Sequence, residues 1–478
     1  MSKVLRGGMY FIIVQGVGLL AGIITSRVLA LYLLPEGYGA YGLIVSFTII
    51  VSTVLTAGIP VAASRFIAVN PDRILWIRER ISSMQGRFTV VVLLSYLMAS
   101  PFVAAWLLPS DEAGAVLIAA AMIPVEAFNI LYLNLLNGLK EYHKQGNARL
   151  VYFSAKAFFS VALVLLGYRL GGAITGFVMG SFFSLLVEHF YWRRSIIGLN
   201  EQSSEGLDDF GNKVLSFAAP LVVYSTLNMV LMSIDVFFVK ELLDFYFSGI
   251  YFAAKNIAQL PWQVLIAAAA AVFPAMSEIH EKRESGEFQF YSTLTMRYIF
   301  LTIMPSILFM TVFADNLILL IYDTGYLLGG PTLKLLSIAF LCSVASSFTM
   351  TLLISTGNTL DIVVVVLSSI AVQTVGCVLL IPIYSIAGAG YSWIISALVT
   401  FILLSAILTR KEGKIIPWMH LAKCILSISI AYLAYMFTTG LNIYLAFGVA
   451  IGMYGLLVLL TRAASIEDAK YLLRSIGG

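Results

Sequence analysis

Residues 8–34 read GMYFIIVQGVGLLAGIITSRVLALYLL, a run in which Arg27 is the only charged side chain. A helix needs about 20 apolar residues to cross the hydrocarbon core of a bilayer, so this run is long enough to span one. Comparable runs recur along almost the whole chain and predict an all-α polytopic membrane protein with about 14 transmembrane helices. The predicted spans are 8–33, 40–64, 88–108, 113–138, 150–168, 171–192, 214–239, 247–276, 295–321, 331–356, 360–383, 386–409, 418–438 and 440–461.

The composition indicates the same class of protein. Of the 478 residues, 60% are hydrophobic and 11% are charged, whereas soluble globular proteins have about 45–50% and about 25%. These values exclude a soluble multidomain protein. Cys342, Cys377 and Cys424 lie inside apolar runs and the four histidines are scattered, so the sequence predicts neither a disulfide framework nor a metal site. The first apolar run lacks a small-residue cleavage site, and we expect no cleavable signal peptide.

Basic residues are distributed unequally between the two sides of the predicted topology. Loops on the side of the N-terminus carry clusters such as Arg78, Arg80 and Arg87, whereas the opposite loops contain only Arg169 and Lys240. The positive-inside rule therefore predicts a multi-pass protein of the cell membrane with both termini in the cytoplasm. No loop is longer than roughly 25 residues, which is too short for a domain with its own core. We therefore expect a protein that is not an enzyme.

An internal repeat emerges when the chain is compared with itself. The segment EGYGAYGLIVSF around Tyr41 resembles FYFSGIYFAAKN around Tyr251, Gly138 corresponds to Gly357, and a Gly-Ala pair at 172–173 corresponds to one at 388–389. The nearly constant offset predicts two parallel six-helix lobes followed by an extra helix pair. The predicted domains are an N-terminal lobe at 1–200, a C-terminal lobe at 201–412, and the helix pair with a cytoplasmic tail at 413–478.

Several ionisable residues fall inside predicted spans, where a charge costs about 3 kcal/mol or more. Lys156, Glu188 and Lys334 lie near predicted span ends, and we expect them to reach the interface. Four others lie deeper and are candidates for function. These are Arg27, Glu126, Asp235 and Lys255.

Polar side chains accompany three of the deep charges at helical spacing. Asn256 adjoins Lys255 in span 8. The stripes are Glu126, Asn129 and Asn137 on span 4, Tyr224, Asn228 and Asp235 on span 7, and Lys255, Gln259 and Gln263 on span 8. One interpretation is a hydrophilic cleft between the lobes, in which these residues contact a sugar. The alternative is a set of buried hydrogen bonds that only hold the helices together.

Basic side chains in a membrane cavity favour an anionic ligand, and guanidinium groups bind phosphate oxygens in bidentate fashion. Arg27, Arg65 and Lys255 are therefore candidate phosphate-binding residues. Arg65 lies about one turn after Pro60, where it either anchors span 2 at the interface or reaches the mouth of the cleft. From the residues alone, the prediction is a transporter with a cationic, polar cavity between its lobes.

Longer motifs carry a resemblance to a known group of transporters. The chain resembles the polysaccharide-export and flippase branch of the multidrug/oligosaccharidyl-lipid/polysaccharide (MOP) exporter superfamily, close to the O-antigen flippase-like and stage V sporulation protein B-like transporters and related to lipid II flippases. The matching stretches are RVLALYLLPEGYGAYG at 27–42, TAGIPVAASRF at 56–66, NGLKEYHKQGNARL at 137–150, IDVFFVKELLDFYFSGIYFAAKNI at 234–257, FPAMSEI at 273–279 and LIYDTGYLLGGPTLKLLSIAFL at 320–341.

The resemblance implies two six-helix lobes in a V-shape. It also implies alternating access that moves a polyprenyl-(pyro)phosphate-linked oligosaccharide from the cytoplasmic to the outer leaflet for cell-surface polysaccharide biosynthesis. In similar lipid II flippases, arginines of spans 1, 2 and 8 hold the pyrophosphate, and the matching positions here are Arg27, Arg65 and Lys255. The lysine at 255 is a departure, and it is compatible with a less demanding phosphate grip.

Further expectations concern coupling and partners. No cofactor is expected, but transport is open to coupling to an H⁺ or Na⁺ gradient, with Asp235 or Glu126 as the titrating carboxylate. The expected partners are the lipid-linked oligosaccharide, membrane lipids and glycan-assembly enzymes, without nucleic acid, and a monomer suffices because both lobes belong to one chain.

Two other functions stay open at this point. A multidrug or organic-cation antiporter of the same superfamily is one, although it would favour an acidic cavity. A membrane-embedded sugar polymerase or glycosyltransferase is the other, although the outer loops are too short for paired catalytic carboxylates.

Overall fold

The computed structural model describes residues 2–109, 112–197, 209–263, 285–356, 359–438, 440 and 442–463. Within these ranges every regular element is a helix and no strand is present, which confirms the all-α prediction. Helices suit a membrane interior because each backbone N–H and C=O group is bonded within its own segment. The FPAMSEI motif at 273–279 and the repeat glycine Gly357 lie outside the described residues.

The described residues up to 258 form ten α-helices. They are α1 (Ser2–Thr56), α2 (Ile59–Val69), α3 (Ile74–Leu107), α4 (Gly114–Ala120), α5 (Met122–Gly138), α6 (Tyr142–Leu165), α7 (Arg169–Ser195), α8 (Phe210–Leu231), α9 (Ile234–Leu242) and α10 (Phe245–Ala258), with a 3₁₀ turn at Pro71–Arg73.

The second half contributes seven more helices to the described part. They are α11 (Ser285–Val312), α12 (Ala314–Ile321), α13 (Gly330–Ser355), α14 (Thr359–Tyr384), α15 (Ile386–Glu412), α16 (Trp418–Phe437) and α17 (Ile443–Leu460), with a 3₁₀ segment at Thr324–Gly329.

Twelve helical segments among the described residues are long and apolar enough to cross a membrane. The first of them, Ile13–Val69, covers two of the predicted spans. The predicted span at 247–276 extends into residues that are not described. The chain is thus a multi-pass membrane protein, whereas the count of 14 spans stays a prediction.

Helix α1 contains a sharp reversal where sequence analysis places the loop between the first two spans. Leu34 has φ 59° and ψ 172°, which is not helical, and Pro35 follows it. A residue before proline is disfavoured in the α conformation, which explains the position of the reversal. The Tyr38 hydroxyl donates to Ser26 Oγ at 3.2 Å, so the chain folds back onto itself at this point.

The chain divides into two compact units. Unit 1 comprises Met1–Ala253 with Ile321–Tyr326, and unit 2 comprises Ala254–Leu320 with Leu327–Gly478. In unit 1, α7 packs against both α5 and α6, and Ser160 Oγ of α6 donates to the Ala173 carbonyl of α7 at 3.2 Å. The predicted lobe boundaries after residues 200 and 412 stay predictions.

In unit 2, α15 packs against both α13 and α14. A hydrogen bond of 2.6 Å joins the hydroxyls of Ser369 in α14 and Thr400 in α15. The last two helices, α16 and α17, pack on each other and on α11. Tyr454 Oη of α17 donates to the Leu301 carbonyl of α11 at 3.1 Å, which fixes the C-terminal helices to this unit.

Two glycines let α1 and α10 approach each other within unit 1. A Cβ atom on Gly39 would lie 2.3 Å from the Phe245 carbonyl oxygen, and one on Gly249 would lie 1.9 Å from the Pro35 carbonyl oxygen. The two contacts correspond to each other in the predicted repeat, because position 39 matches 249 and position 35 matches 245. Under the predicted repeat, each of these contacts is therefore the counterpart of the other.

Candidate functional site

The candidate site residues are distributed over both units. Unit 1 contains Arg27, Arg65, Glu126, Asn129, Tyr224, Asn228 and Asp235, and unit 2 contains Lys255, Asn256, Gln259 and Gln263. A joint phosphate site of Arg27, Arg65 and Lys255 stays a prediction.

Lys255 is the most buried of the three basic candidates. Its side chain is 3% exposed, and its ammonium group lies 5.8 Å from the centroid of the Trp393 ring of α15. A cation at this distance from an indole face is attracted by the ring quadrupole. The polar stripe becomes more accessible beyond Lys255, because Gln259 is half-buried and Gln263 is exposed.

Arg27 and Arg65 both expose their side chains but lie at different depths. Arg27 precedes the reversal at Leu34 by seven residues, which is about 10 Å of helix. Arg65 lies on α2, beyond the end of α1 and more than about 30 Å of helix after the reversal. The Arg65 guanidinium lies 4.6 Å from the centroid of the Phe217 ring of α8, a stacking contact that leaves its donors available.

Asp235 is fully buried near the start of α9. The Tyr251 hydroxyl of α10 donates to its Oδ2 atom at 2.5 Å. Tyr251 belongs to the repeated segment FYFSGIYFAAKN. This buried hydrogen bond therefore joins Asp235 to the repeat motif.

A short break in the helix interrupts the polar face predicted for span 7. Helix α8, which carries Tyr224 and Asn228, ends at Leu231, and α9 begins at Ile234. Between them the Ser233 amide donates to the Val230 carbonyl at 3.0 Å, a tighter i to i−3 bond than an α-helix makes. This local tightening changes the angular position of Asp235 relative to the other two residues.

The half-buried Glu126 and the buried Asn129 form a hydrogen-bonded group in unit 1. Ser181 of α7 donates to Glu126 Oε2 at 2.6 Å, and Asn129 Nδ2 donates to the same oxygen at 3.2 Å. Asn137, the third member of that stripe, is exposed. The contact joins α5 to α7, as the interpretation of these residues as interhelical hydrogen bonds predicts.

Glu188 lies in a different environment from the one that the sequence indicated. We expected this residue to reach the interface, but its side chain is fully buried, so that prediction was wrong. Ser184 Oγ donates to Glu188 Oε1 at 3.2 Å, while Oε2 has no hydrogen-bond partner. A usable signal was present, because Ser181, Ser184 and Glu188 are spaced i, i+3 and i+7 and so share one helix face.

Lys156 also lies away from the helix end at which it was expected. It belongs to the interior of α6, and its ammonium group lies 3.9 Å from the centroid of the Phe177 ring of α7. The lysine and Glu126 attract each other electrostatically. Among the described residues, no group of three His, Cys, Asp or Glu side chains is arranged to hold a metal ion.

The sequence profile of the family described as "Polysaccharide biosynthesis protein" matches residues 4–280, which is more than half of the chain. The chain belongs to this family. No curated protein matches its sequence.

Several solved structures of membrane transporters have a similar fold. The lipid II flippase MurJ in an inward closed conformation matches with a TM-score of 0.74 and 15% identity, over 95% of this chain and 99% of the flippase. An inward-facing multidrug resistance MATE family transporter of the MOP superfamily matches with a TM-score of 0.68 and 12% identity, over 83% and 96%. An outward-facing transporter of that kind matches with a TM-score of 0.66 and 14% identity, over 86% and 96%. The predicted resemblance to this group of transporters is thus confirmed at the level of the fold.

Proposed function

We propose that the protein is a flippase that moves a polyprenyl-(pyro)phosphate-linked oligosaccharide from the cytoplasmic to the outer leaflet by alternating access. The observation that carries the proposal is Lys255, a basic side chain buried inside a predicted span of a polysaccharide biosynthesis family member. Placing a charge there costs about 3 kcal/mol or more, which is unfavourable unless function requires it. An anionic headgroup is the ligand that such a cation attracts.

The two arginines act at different stages in this proposal. Arg65 lies toward the cytoplasmic end of the predicted topology and captures the phosphate there. Lys255 holds it deeper in the membrane, and Arg27, near the outer reversal of α1, receives it before release. Asn256 adjoins Lys255, and Gln259 and Gln263 follow it at i+4 and i+8. All three supply hydrogen-bonding groups for sugar hydroxyls.

The remaining parts of the proposal concern the setting of the protein. Both termini lie in the cytoplasm of a cell-membrane protein that completes the cycle as a monomer. Glycan-assembly enzymes that make the lipid-linked sugar and extend it are its functional partners. An H⁺ or Na⁺ gradient drives the movement, and the protein catalyses no covalent step.

The test measures how much of a polyprenyl-pyrophosphate oligosaccharide becomes accessible in the second leaflet of proteoliposomes. We expect wild type and Lys255→Arg to expose the substrate, and Lys255→Met and Arg27→Gln to slow exposure at least roughly tenfold, because a phosphate contact is worth about 1.4 kcal/mol or more. Lys411→Met is the matched control, since Lys411 is an exposed lysine that pairs with Asp361. Equal rates for Lys255→Met and wild type would contradict the proposed role of the lysine.

The MATE-like fold supports a second candidate, the transport of organic cations. The same proteoliposomes distinguish the two functions. Uptake of a cationic dye without movement of the lipid-linked sugar would replace the flippase by a multidrug antiporter.

A further inference from the structure

A polar cluster, buried except for the half-buried Glu126, lies between α5, α6 and α7 of unit 1. We call it the serine–carboxylate cluster, and it consists of Glu126, Asn129, Ser181, Ser184 and Glu188. Its hydrogen bonds run from Ser181 to Glu126 at 2.6 Å, from Asn129 to Glu126 at 3.2 Å, and from Ser184 to Glu188 at 3.2 Å. The single hydrogen of the Ser184 hydroxyl is shared between Glu188 Oε1 and the Ala148 carbonyl of α6, which lies at 3.1 Å, so all three helices contribute to the cluster.

The two carboxylates of the cluster differ in their surroundings. Glu126 accepts two hydrogen bonds through one oxygen and is attracted by the Lys156 ammonium. Glu188 accepts one hydrogen bond, and its second oxygen has no partner. Glu188 forms no ion pair with a described residue.

A full charge on Glu188 is therefore costly. An ionised carboxylate without a close counter-ion loses far more solvation on burial than a neutral carboxylic acid does. Glu126 repels the negative form of Glu188, and Arg149 of α6 attracts it without reaching ion-pair distance. One added proton on the unpaired oxygen removes both the desolvation cost and the repulsion.

Other titratable groups face the same cluster and complete its electrostatics. On α6, Tyr152 interacts with Glu126, with Arg149 and with Tyr41 of α1. The Arg149 guanidinium lies 5.8 Å from the centroid of the Tyr152 ring. The two carboxylates of the cluster are thus surrounded by two basic side chains, Lys156 and Arg149, and by two buried tyrosines.

Partly exposed charged side chains lie beyond the cluster, at the predicted cytoplasmic end of α7. Glu188 precedes Ser195, the last residue of α7, by seven residues, which is about 10 Å of helix. The Ser195 hydroxyl accepts from Lys144 at 2.8 Å, and Lys144 pairs with Glu141 at 2.9 Å. Both of these charged side chains are partly exposed, so water reaches this end of α7.

We propose that Glu188 is a proton-binding site that couples transport to the proton gradient. Glu188 Oε2 takes one proton from cytoplasmic water and releases it to water in the other half of the cycle. The proton-bound form lets α7 pack against α5 as observed, and its loss restores the repulsion between Glu188 and Glu126. This inference rests on the proposed transport function and identifies the coupling ion as H⁺.

The first experiment tests proton binding on the purified full-length chain without substrate. Infrared difference spectra between acid and alkaline pH should show the C=O band of a buried carboxylic acid in wild type. Glu188→Gln should remove this band, and the conservative variant Ser184→Ala should shift it by removing its hydrogen bond. Asp361→Asn, which changes an exposed carboxylate, should leave it unchanged. A band that persists in Glu188→Gln overturns the proposal.

The second experiment tests coupling in proteoliposomes. With one proton per cycle, a pH difference of one unit supports at most a roughly tenfold ratio of lipid-linked sugar between the leaflets. Wild type should approach this ratio, whereas Glu188→Gln should exchange the sugar without accumulating it. Accumulation driven by Na⁺ but not by pH, or unchanged accumulation by Glu188→Gln, overturns the proposal. If wild type moves no sugar but retains the infrared band, the flippase function fails and the proton site stands.

Discussion

At the scale of single residues, a short hydrogen bond joins Asp235 of α9 to Tyr251 of α10. The carboxylate has no exposed surface, and the Tyr251 hydroxyl lies 2.5 Å from Oδ2. Hydrogen bonds to a charged group contribute about 1.5–3 kcal/mol, and leaving a buried acceptor short of a donor costs a similar amount. We therefore interpret this pair as a structural clamp between α9 and α10.

Replacing Tyr251 by Phe tests the clamp. We expect Tyr251→Phe to lower the free energy of unfolding by roughly 2 kcal/mol, because the ring still fits while the buried carboxylate loses a donor. The measurement is thermal unfolding of the purified protein in detergent. Tyr246→Phe is the matched control on the same helix and should change the unfolding temperature much less. Equal effects of the two substitutions would contradict a specific role of the Tyr251 hydroxyl.

At the scale of helices, the crossing of α1 and α10 depends on two glycines. The crossing continues one turn further along both helices, because a Cβ on Gly42 would lie 2.7 Å from the Phe252 ring, and these positions also match in the repeat. Any side chain larger than hydrogen at 39 or 249 would overlap backbone atoms, which cannot move as a flexible side chain can.

Substitutions at this crossing give a clear prediction. We expect Gly249→Ala to destabilise unit 1 by roughly 1–3 kcal/mol, the usual cost of overpacking. Gly22→Ala is the matched control on α1, because no atom lies within 4 Å of its added Cβ, and it should be neutral or slightly stabilising. Unfolding temperatures measure both effects. A Gly249→Ala protein as stable as Gly22→Ala would show that the helices separate without cost.

At the scale of the whole molecule, the predicted topology can be tested with single cysteines in a background without Cys342, Cys377 and Cys424. Tyr168 and Tyr142 are both exposed, at opposite ends of α6. With cytoplasmic termini, Tyr168→Cys should react with a membrane-impermeant maleimide in intact cells, and Tyr142→Cys should react only after permeabilisation. The reverse pattern would invert the topology and the direction proposed for Arg65 and Arg27.

Sequence reasoning predicted the fold better than it predicted the site. Apolar runs specify membrane helices directly, because the bilayer requires both their length and their internal hydrogen bonding. It did not predict the helix break at 232–233, which has no proline or glycine to signal it. It also misjudged Glu188, because distance from a helix end does not reveal which neighbouring helices cover a side chain. Partners such as Ser181 with Glu126, or Lys255 with Trp393, depend on packing between distant segments.

The contact between Gly39 and Gly249 also determines how this crossing responds to mutation. The predicted repeat makes the two positions equivalent, yet they belong to one chain and mutate independently. Because each glycine lies against the backbone beside the other, a side chain at either position alone fills the space that both require. The pair is therefore a single steric constraint that two separate codons must satisfy.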